Sequence, residues 1–219
     1  MNFLNQLKSC KTQKDLANSL GYSEKNFTRI LFSQDISTRY QSFEIPKKNG
    51  HKRKIFAPTP ELKTLQTRLS ILLSNCYEEL EIKRLSTTSY VTCISSHGFR
   101  RRLTVEIPIS KSNRNSHNFQ EVKLGIYSNA QKHTNKRLVL NIDIKDFFES
   151  ITFSRIVGFF AKNKFFLLSF DIAILIAQIA TYRTSTSQEG FLPQGSPCSP
   201  IISNLIGNIL DVKMVKLAK

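Results

Sequence analysis

Two stretches decide how this chain is read: Leu138-Val139-Leu140-Asn141-Ile142-Asp143-Ile144-Lys145-Asp146-Phe147-Phe148, and Leu192-Pro193-Gln194-Gly195-Ser196-Pro197-Cys198-Ser199-Pro200. In the first, Leu138, Leu140, Ile142 and Ile144 alternate with Val139, Asn141 and Asp143. That period of two predicts a central strand ending at a carboxylate. In the second, three prolines and one glycine in nine residues restrict the backbone. The loop leads into an apolar helix expected over Ile201 to Lys216. A loop so constrained is costly unless its shape is used, although a purely structural helix entry has the same composition.

A carboxylate and a rigid polar loop suit phosphoryl transfer, where catalysis is mostly positioning and charge neutralisation. Two Mg2+ ions can clamp the attacking and leaving oxygens, and Mg2+ takes few protein oxygens while keeping several waters. Asp143 is a candidate metal ligand, and the Ile144 carbonyl can add an oxygen. An aspartate at a strand end also serves as a turn or cap residue. Asp146 has the same two readings, beside a triphosphate or capping the Phe147-Phe148 turn. Gln194 offers an amide for hydrogen bonding, and Gly195 permits close approach of a ligand.

Working outward, Tyr40 to Pro46 and His51 to Ala57 read as strands joined by Lys47-Lys48-Asn49-Gly50, since Asn-Gly is a strong hairpin signal. Lys47, Lys48, Lys52, Arg53 and Lys54 on this hairpin suit triphosphate oxygens or a nucleic-acid backbone. A solvated edge hairpin protected by lysines has the same pattern. Residues 100 to 123 hold six Lys or Arg, led by Arg100, Arg101 and Arg102, against two Glu. They read as a basic loop or insertion with a role in nucleic-acid binding.

The remainder is helical in period. Leu4, Leu7, Leu16 and Leu20 mark helices in residues 1 to 36, with Gly21 as a stop and Ser23 as a cap. Asp15 to Ser23 has helix-turn-helix character, but a small helical cap packed on the main domain is the preferred reading. Further helices are expected over Glu61 to Glu79, Ser128 to Thr134, Phe153 to Asn163 with Thr152 as its cap, and 165 to 181. Ser86 to Ser96 reads as strand and loop. Phe165 to Tyr182 is interrupted by Asp171 and Gln178, so it reads as a buried helix and not a bilayer span.

Composition agrees with a polyanionic partner. Lys and Arg total 32 against 16 Asp and Glu, a formal net charge of +16. Nucleic acid is favoured over a membrane surface. Cys10, Cys76, Cys93 and Cys198 have no Cys-x2-4-Cys spacing, so neither a zinc site nor a disulfide framework is expected. Reduced thiols and an N-terminus without an apolar signal core predict a cytoplasmic protein.

The ordered set of segments resembles bacterial reverse transcriptases of the retron type and, more distantly, those of group II introns. The resemblance rests on Tyr40 to Gly50 with Arg53-Lys54-Ile55 and Ala57-Pro58, on His97-Gly98-Phe99, and on Ser128-Asn129-Ala130 with His133. It continues through Asn141 to Ile151 and Leu192 to Asn204. It implies an α/β right-hand polymerase fold, with an antiparallel palm sheet backed by helices. The implied divisions are an N-terminal helical segment 1–36, a fingers region 37–136 with an insertion near 100–124, and a partial palm 137–219.

By position, Asp143 resembles the first metal-binding aspartate, and Phe148 the bulky residue that screens against a ribose 2′-hydroxyl. Gln194 and Gly195 resemble the nucleotide-binding part of the palm loop. Lys47 and Arg53 resemble finger residues that contact the triphosphate. The implied cofactor is Mg2+ in a two-metal site. The implied partners are deoxynucleoside triphosphates, a structured RNA template, the RNA–DNA product and an effector protein in antiviral defence. One departure is the run 100–124, which looks inserted. The other is that no Asp-Asp, and so no aromatic-x-Asp-Asp, occurs in the 219 residues. The sequence therefore predicts a truncated form lacking the second carboxylate pair and the thumb, inactive alone. Two alternatives are a non-catalytic RNA-binding protein and one half of a split polymerase.

Overall fold

Local capping builds the N-terminal helices. α1 (Phe3–Ser9) starts at Asn2, whose side chain accepts from the Asn5 N–H. The Glu79 carboxylate accepts from the N–H groups of Phe3 at 2.7 Å and Leu4 at 3.0 Å, so an anion meets the positive end of the helix. α2 (Gln13–Ser19) carries a complete capping box between Thr12 and Asp15. The N–H groups of Lys11 and Thr12 hold the Asp15 carboxyl below its usual range. Gly21 turns the chain at φ +73°, and Ser23 caps α3 (Glu24–Phe32).

The turn between α2 and α3 is fixed from outside. Arg68 donates to the carbonyls of Leu20 at 2.9 Å and Gly21 at 2.8 Å, and its guanidinium lies 4.6 Å from the centre of the Tyr22 ring. Arg68 belongs to α4 (Pro60–Thr87), the spine of the molecule. Leu62, Leu65, Leu69, Leu72 and Leu73 are buried along it, as the sequence predicts. α1 and α3 pack on α4, and α3 adds a two-pronged Arg29–Glu61 pair. The first three helices thus form the expected cap.

The computed structural model describes residues 2–33, 35–46, 50–87, 98, 106–108, 119–121, 125–183 and 189–217. The expected strand over Ser86 to Ser96, the turn residues Lys47, Lys48 and Asn49, and Arg100 to Arg102 lie outside them, apart from Ser86 and Thr87 at the end of α4.

β1 (Tyr40–Pro46) and β2 (Lys52–Pro58) form the predicted antiparallel hairpin, in register from Tyr40↔Pro58 to Pro46↔Lys52. Its root is packed, with Tyr40, Phe56 and Pro58 buried, while residues 41–46 and 52–54 are exposed. In the basic segment, β3 (Glu106–Pro108) and β4 (Phe119–Glu121) form a second short antiparallel ladder that the sequence reading missed. α5 (Ile126–His133) follows.

α6 (Phe153–Lys162), capped by Thr152, packs against α7 (Phe170–Ala180). α7 starts later than the predicted helix over 165–181. Leu167 sits at φ +44°, so the chain makes a turn before Ser169 opens the helix. α8 (Ser199–Leu217) closes the described chain. One hydrophobic core runs through α1–α4, the hairpin root and α6–α8. The fold mixes helices with antiparallel strands, as the α/β expectation requires. No described helix is long and apolar enough to cross a membrane.

The run 138–144 departs from expectation. It forms no strand, and Leu138 is 87% and Leu140 77% exposed. Strand conformation is stabilised by a ladder partner, and among the described residues none lies alongside. The alternation reads correctly as strand-like sequence, but the second strand that would hold it is not among its described neighbours.

Candidate nucleotide-binding site

The loop 192–200 is set by short polar contacts on a packed base. Phe191 bridges both Thr152 and Tyr182, and the Leu192 N–H donates to the Ile151 carbonyl at 2.9 Å. Rings of Tyr40, Phe56, Tyr182 and Phe191 pack beneath it, with centroids 4.4 Å apart for Phe56 and Tyr182. The Ser199 hydroxyl donates to the Pro193 carbonyl at 2.6 Å and closes the loop onto the start of α8.

β2 then docks on this loop. The Phe56 N–H donates to the Gln194 carbonyl at 2.8 Å. Gly195 has φ +114°, and a Cβ there would lie 2.7 Å from the Phe56 carbonyl oxygen and 2.9 Å from Ile55 Cγ2. The close approach that Gly195 permits is therefore to the β2 backbone. Both the dihedral and the clash predict that Gly195→Ala costs roughly 1–3 kcal/mol. Urea denaturation should show that loss, and an unchanged midpoint would mean that β2 and the loop are not in contact.

Period two sorts the basic residues of β2. Ile55 faces Gly195, so Arg53 stands on the loop side of the hairpin, nearer the tip. Lys52 and Lys54 take the other side. Lys54 leans over the Phe56 ring at 5.4 Å, and Lys52 pairs with Glu44 at 2.9 Å. Of the five predicted hairpin cations, Arg53 is the described one that shares a face with Gln194 and Gly195. Lys47 and Lys48 fall outside the described residues.

The Asp143 segment sits elsewhere along α8. Ile144 and Phe147 line a cleft of about 400 Å³ with Gly98, Asn129, Asn204 and Asp211. The Asn204 amide donates to the Gly98 carbonyl at 2.9 Å, which ties Gly98 to α8; His97 and Phe99 lie outside the described residues. Gly207 leaves room for the Phe147 ring, whose Cζ would lie 3.5 Å from an added Cβ. Asp146 takes φ +49°, and its carbonyl accepts from the Ser150 N–H at 2.9 Å, so it begins the turn through Phe148. Phe148 is half-buried, and its ring centre lies 6.2 Å from that of Phe147.

Asp143 is exposed and makes no hydrogen bond or ion pair with any described residue. A solvated carboxylate beside a backbone carbonyl is a hard-oxygen donor set that fits Mg2+. Among the described residues no three acidic, His or Cys side chains cluster as a metal cage. No hydrogen bond joins the Asp143 segment to Gln194 among the described residues; α8 is what the two groups share.

Two residues escaped the sequence reading. Asp211 lines the cleft beside Ile144, and burial pushes its carboxyl pKa up. Gln66 is fully buried on α4. It falls four residues after Leu62, three before Leu69 and seven before Leu73, on the apolar stripe itself. A polar residue in that position was the available signal.

A family model described as reverse transcriptase (RNA-dependent DNA polymerase) matches residues 45–214. The chain is 29% identical to the retron Mx162 reverse transcriptase of Myxococcus xanthus, over 98% of this chain and 40% of that protein. It is 27% identical to the retron Mx65 reverse transcriptase of the same organism, over 95% of this chain and 44% of that protein. It is 26% identical to the retron Ec86 reverse transcriptase of Escherichia coli, over 91% of this chain and 49% of that protein. The chain spans under half the length of each of these relatives.

Proposed function

The chain belongs to the reverse transcriptase (RNA-dependent DNA polymerase) family, and from that premise we propose that it carries the nucleotide- and template-binding part of a retron-type RNA-directed DNA polymerase. The observation that supports this reading is the docking of β2 on the Gln194-Gly195 loop, where Ile55, two residues from Arg53 on the same strand face, lies against Gly195. In this reading Gln194 lies under an incoming deoxynucleotide, and Gly195 seats the loop against β2. Arg53, with Lys47, contacts its triphosphate, and Asp146 stands near it. Phe148 fills the space a 2′-hydroxyl would need.

Asp143 and the Ile144 carbonyl would hold Mg2+. Bound there, the ion would supply charge neutralisation of the triphosphate and activation of the primer hydroxyl. A complete two-metal site needs carboxylates beyond Asp143. The domain roles follow: a helical cap over 1–36, fingers over 37–136 and palm over 137–219. Lys48, Lys52, Lys54 and Arg100 to Arg102 would track the phosphate backbone of a structured RNA template and of the RNA–DNA product.

Salt dependence tests this assignment. Removing one phosphate-binding cation lowers the slope of log K against log salt by about 0.7 to 0.9. Lys54→Ala should weaken RNA binding and flatten the slope by about one such step. Lys52→Ala should do less, because Lys52 is already shared with Glu44. Filter binding of a folded RNA between low and moderate salt measures both. Equal slopes for parent and Lys54→Ala would remove that cation from the binding surface.

A further inference from the structure

Gln66 reaches the candidate loop from behind. Its Nε2 donates to the Tyr40 hydroxyl at 2.7 Å and to the Ile179 carbonyl at 2.8 Å. Its Oε1 accepts from the Ser196 hydroxyl at 2.9 Å. The amide's orientation is fixed by chemistry, because the Ile179 carbonyl can only accept. The Gln66 main-chain carbonyl also receives the Cys198 thiol at 3.0 Å, and the Ser196 oxygen accepts from the Cys198 N–H at 3.3 Å. One side chain therefore joins β1, α7 and the loop, with both N–H donors and its oxygen engaged.

Only a neutral amide of this length satisfies all three partners. An ionised glutamate would set an oxygen against the Ile179 carbonyl. A methionine would remove the donor to the Tyr40 hydroxyl and the Ile179 carbonyl and the acceptor of the Ser196 O–H in a buried place, where an unmade bond costs most. Ser196 follows Gly195 directly, so whatever fixes Ser196 fixes the attitude of Gln194-Gly195. The loop is thereby tied to the hairpin twice. One tie is direct, from the Phe56 N–H to the Gln194 carbonyl. The other runs through Ser196, Gln66 and Tyr40.

We propose that Gln66 is the positioning residue of the nucleotide-binding loop: it touches no substrate, and it holds Gln194-Gly195 against β2 so that the loop meets the incoming deoxynucleotide in one conformation. The nucleotide half of this statement rests on the function proposed above; the positioning half does not. The pattern resembles the supporting shell that any precise binding site requires.

The test uses the 219-residue chain and two variants, Gln66→Met and the milder Ser196→Ala, which removes the limb from Gln66 to the loop and, with it, the acceptor of the Cys198 N–H. Amide hydrogen exchange is followed by NMR at Phe56 and, as a reference, at Leu69 in the buried stretch of α4. Both variants should speed exchange at Phe56 about tenfold relative to Leu69, the scale on which removing one buried hydrogen bond eases a local opening. A merely structural role would move both amides together, and that result, or an unmoved Phe56, would overturn the proposal. Should Gln66→Met fail to fold, Ser196→Ala gives the same readout. Binding of dATP with Mg2+ is then titrated on the Gln194 side-chain amide signals, and should weaken about tenfold in both variants. Parent binding with no loss in the variants overturns the link to nucleotide. A parent that binds no nucleotide overturns the proposed function instead, while the Phe56 to Leu69 ratio still decides whether Gln66 holds the loop.

Discussion

Asp143→Asn should lower primer extension by about a thousandfold or more, the scale on which loss of a metal's charge stabilisation acts. The assay is primer extension, with Mg2+ and deoxynucleotides, by this chain joined to the part of the retron Mx162 reverse transcriptase that the match leaves uncovered. The expectation comes from two facts about the residue. Its carboxylate is exposed and unengaged by any described residue, so its charge serves no structural contact. A neutral amide is a poor ligand for a hard cation that prefers carboxylate oxygen. Activity should therefore fall while the thermal midpoint stays put. Asp146→Asn is the informative control. Asp146 sits at φ +49°, a region asparagine tolerates as well as aspartate, so this variant keeps the turn. Full activity of the Asp143→Asn enzyme would end the metal assignment. A fall in stability to match the fall in activity would make the residue structural.

The sequence was most legible where one residue decides a local geometry. Ser23 and Thr152 mark helix starts because a side-chain oxygen there satisfies an otherwise unpaired N–H group. The hairpin at 40–58 was legible for the same reason, since its turn chemistry and alternation agree. The strand expected at 138–144 was not secured by its own residues. Alternation says which side chains would share a face, but a ladder needs a neighbour, and no described residue supplies one. The reading of 165–181 as one helix failed at Leu167, whose positive φ no apolar periodicity reveals. In the basic segment, charge composition hid the β3–β4 ladder.

The candidate site divides along the same line. Gln194 and Gly195 could be picked out because Pro and Gly restrict the backbone in a recognisable way. What occupies the space above Gly195 could not, because the answer is the Phe56 carbonyl from more than a hundred residues earlier. Charge alone made Lys52 and Arg53 equal candidates. The ladder separates them, by giving Lys52 a partner in Glu44 and turning Arg53 to the loop. Gln66 shows the converse. Its place on an apolar stripe was visible, but its meaning depends on Ser196, Tyr40 and Ile179, which only the fold brings together.

The packing of α6 against α7 yields the other large expected effect. Phe160 is fully buried on α6, with ring centres of Phe159 and Phe166 each 5.2 Å away. Its carbonyl accepts from the Leu168 N–H at 3.0 Å, and the Phe166 N–H donates to the Asn163 carbonyl at 3.0 Å, so the chain folds back over the ring before α7 begins. Shortening the side chain cannot be relieved by collapse, because these bonds fix the turn above it. Phe160→Ala should cost about 3–5 kcal/mol. Against a typical total of about 5–15 kcal/mol, that is enough to leave much of the protein unfolded at moderate temperature. Phe165→Ala, five residues on, removes a half-exposed ring whose main described partner is the Lys164 ammonium at 5.0 Å. It should cost under about 1 kcal/mol. Urea midpoints of the two variants measure the difference. Equal costs would mean that α6 and α7 do not enclose Phe160, and the base on which the Leu192–Pro200 loop rests would have to be rebuilt.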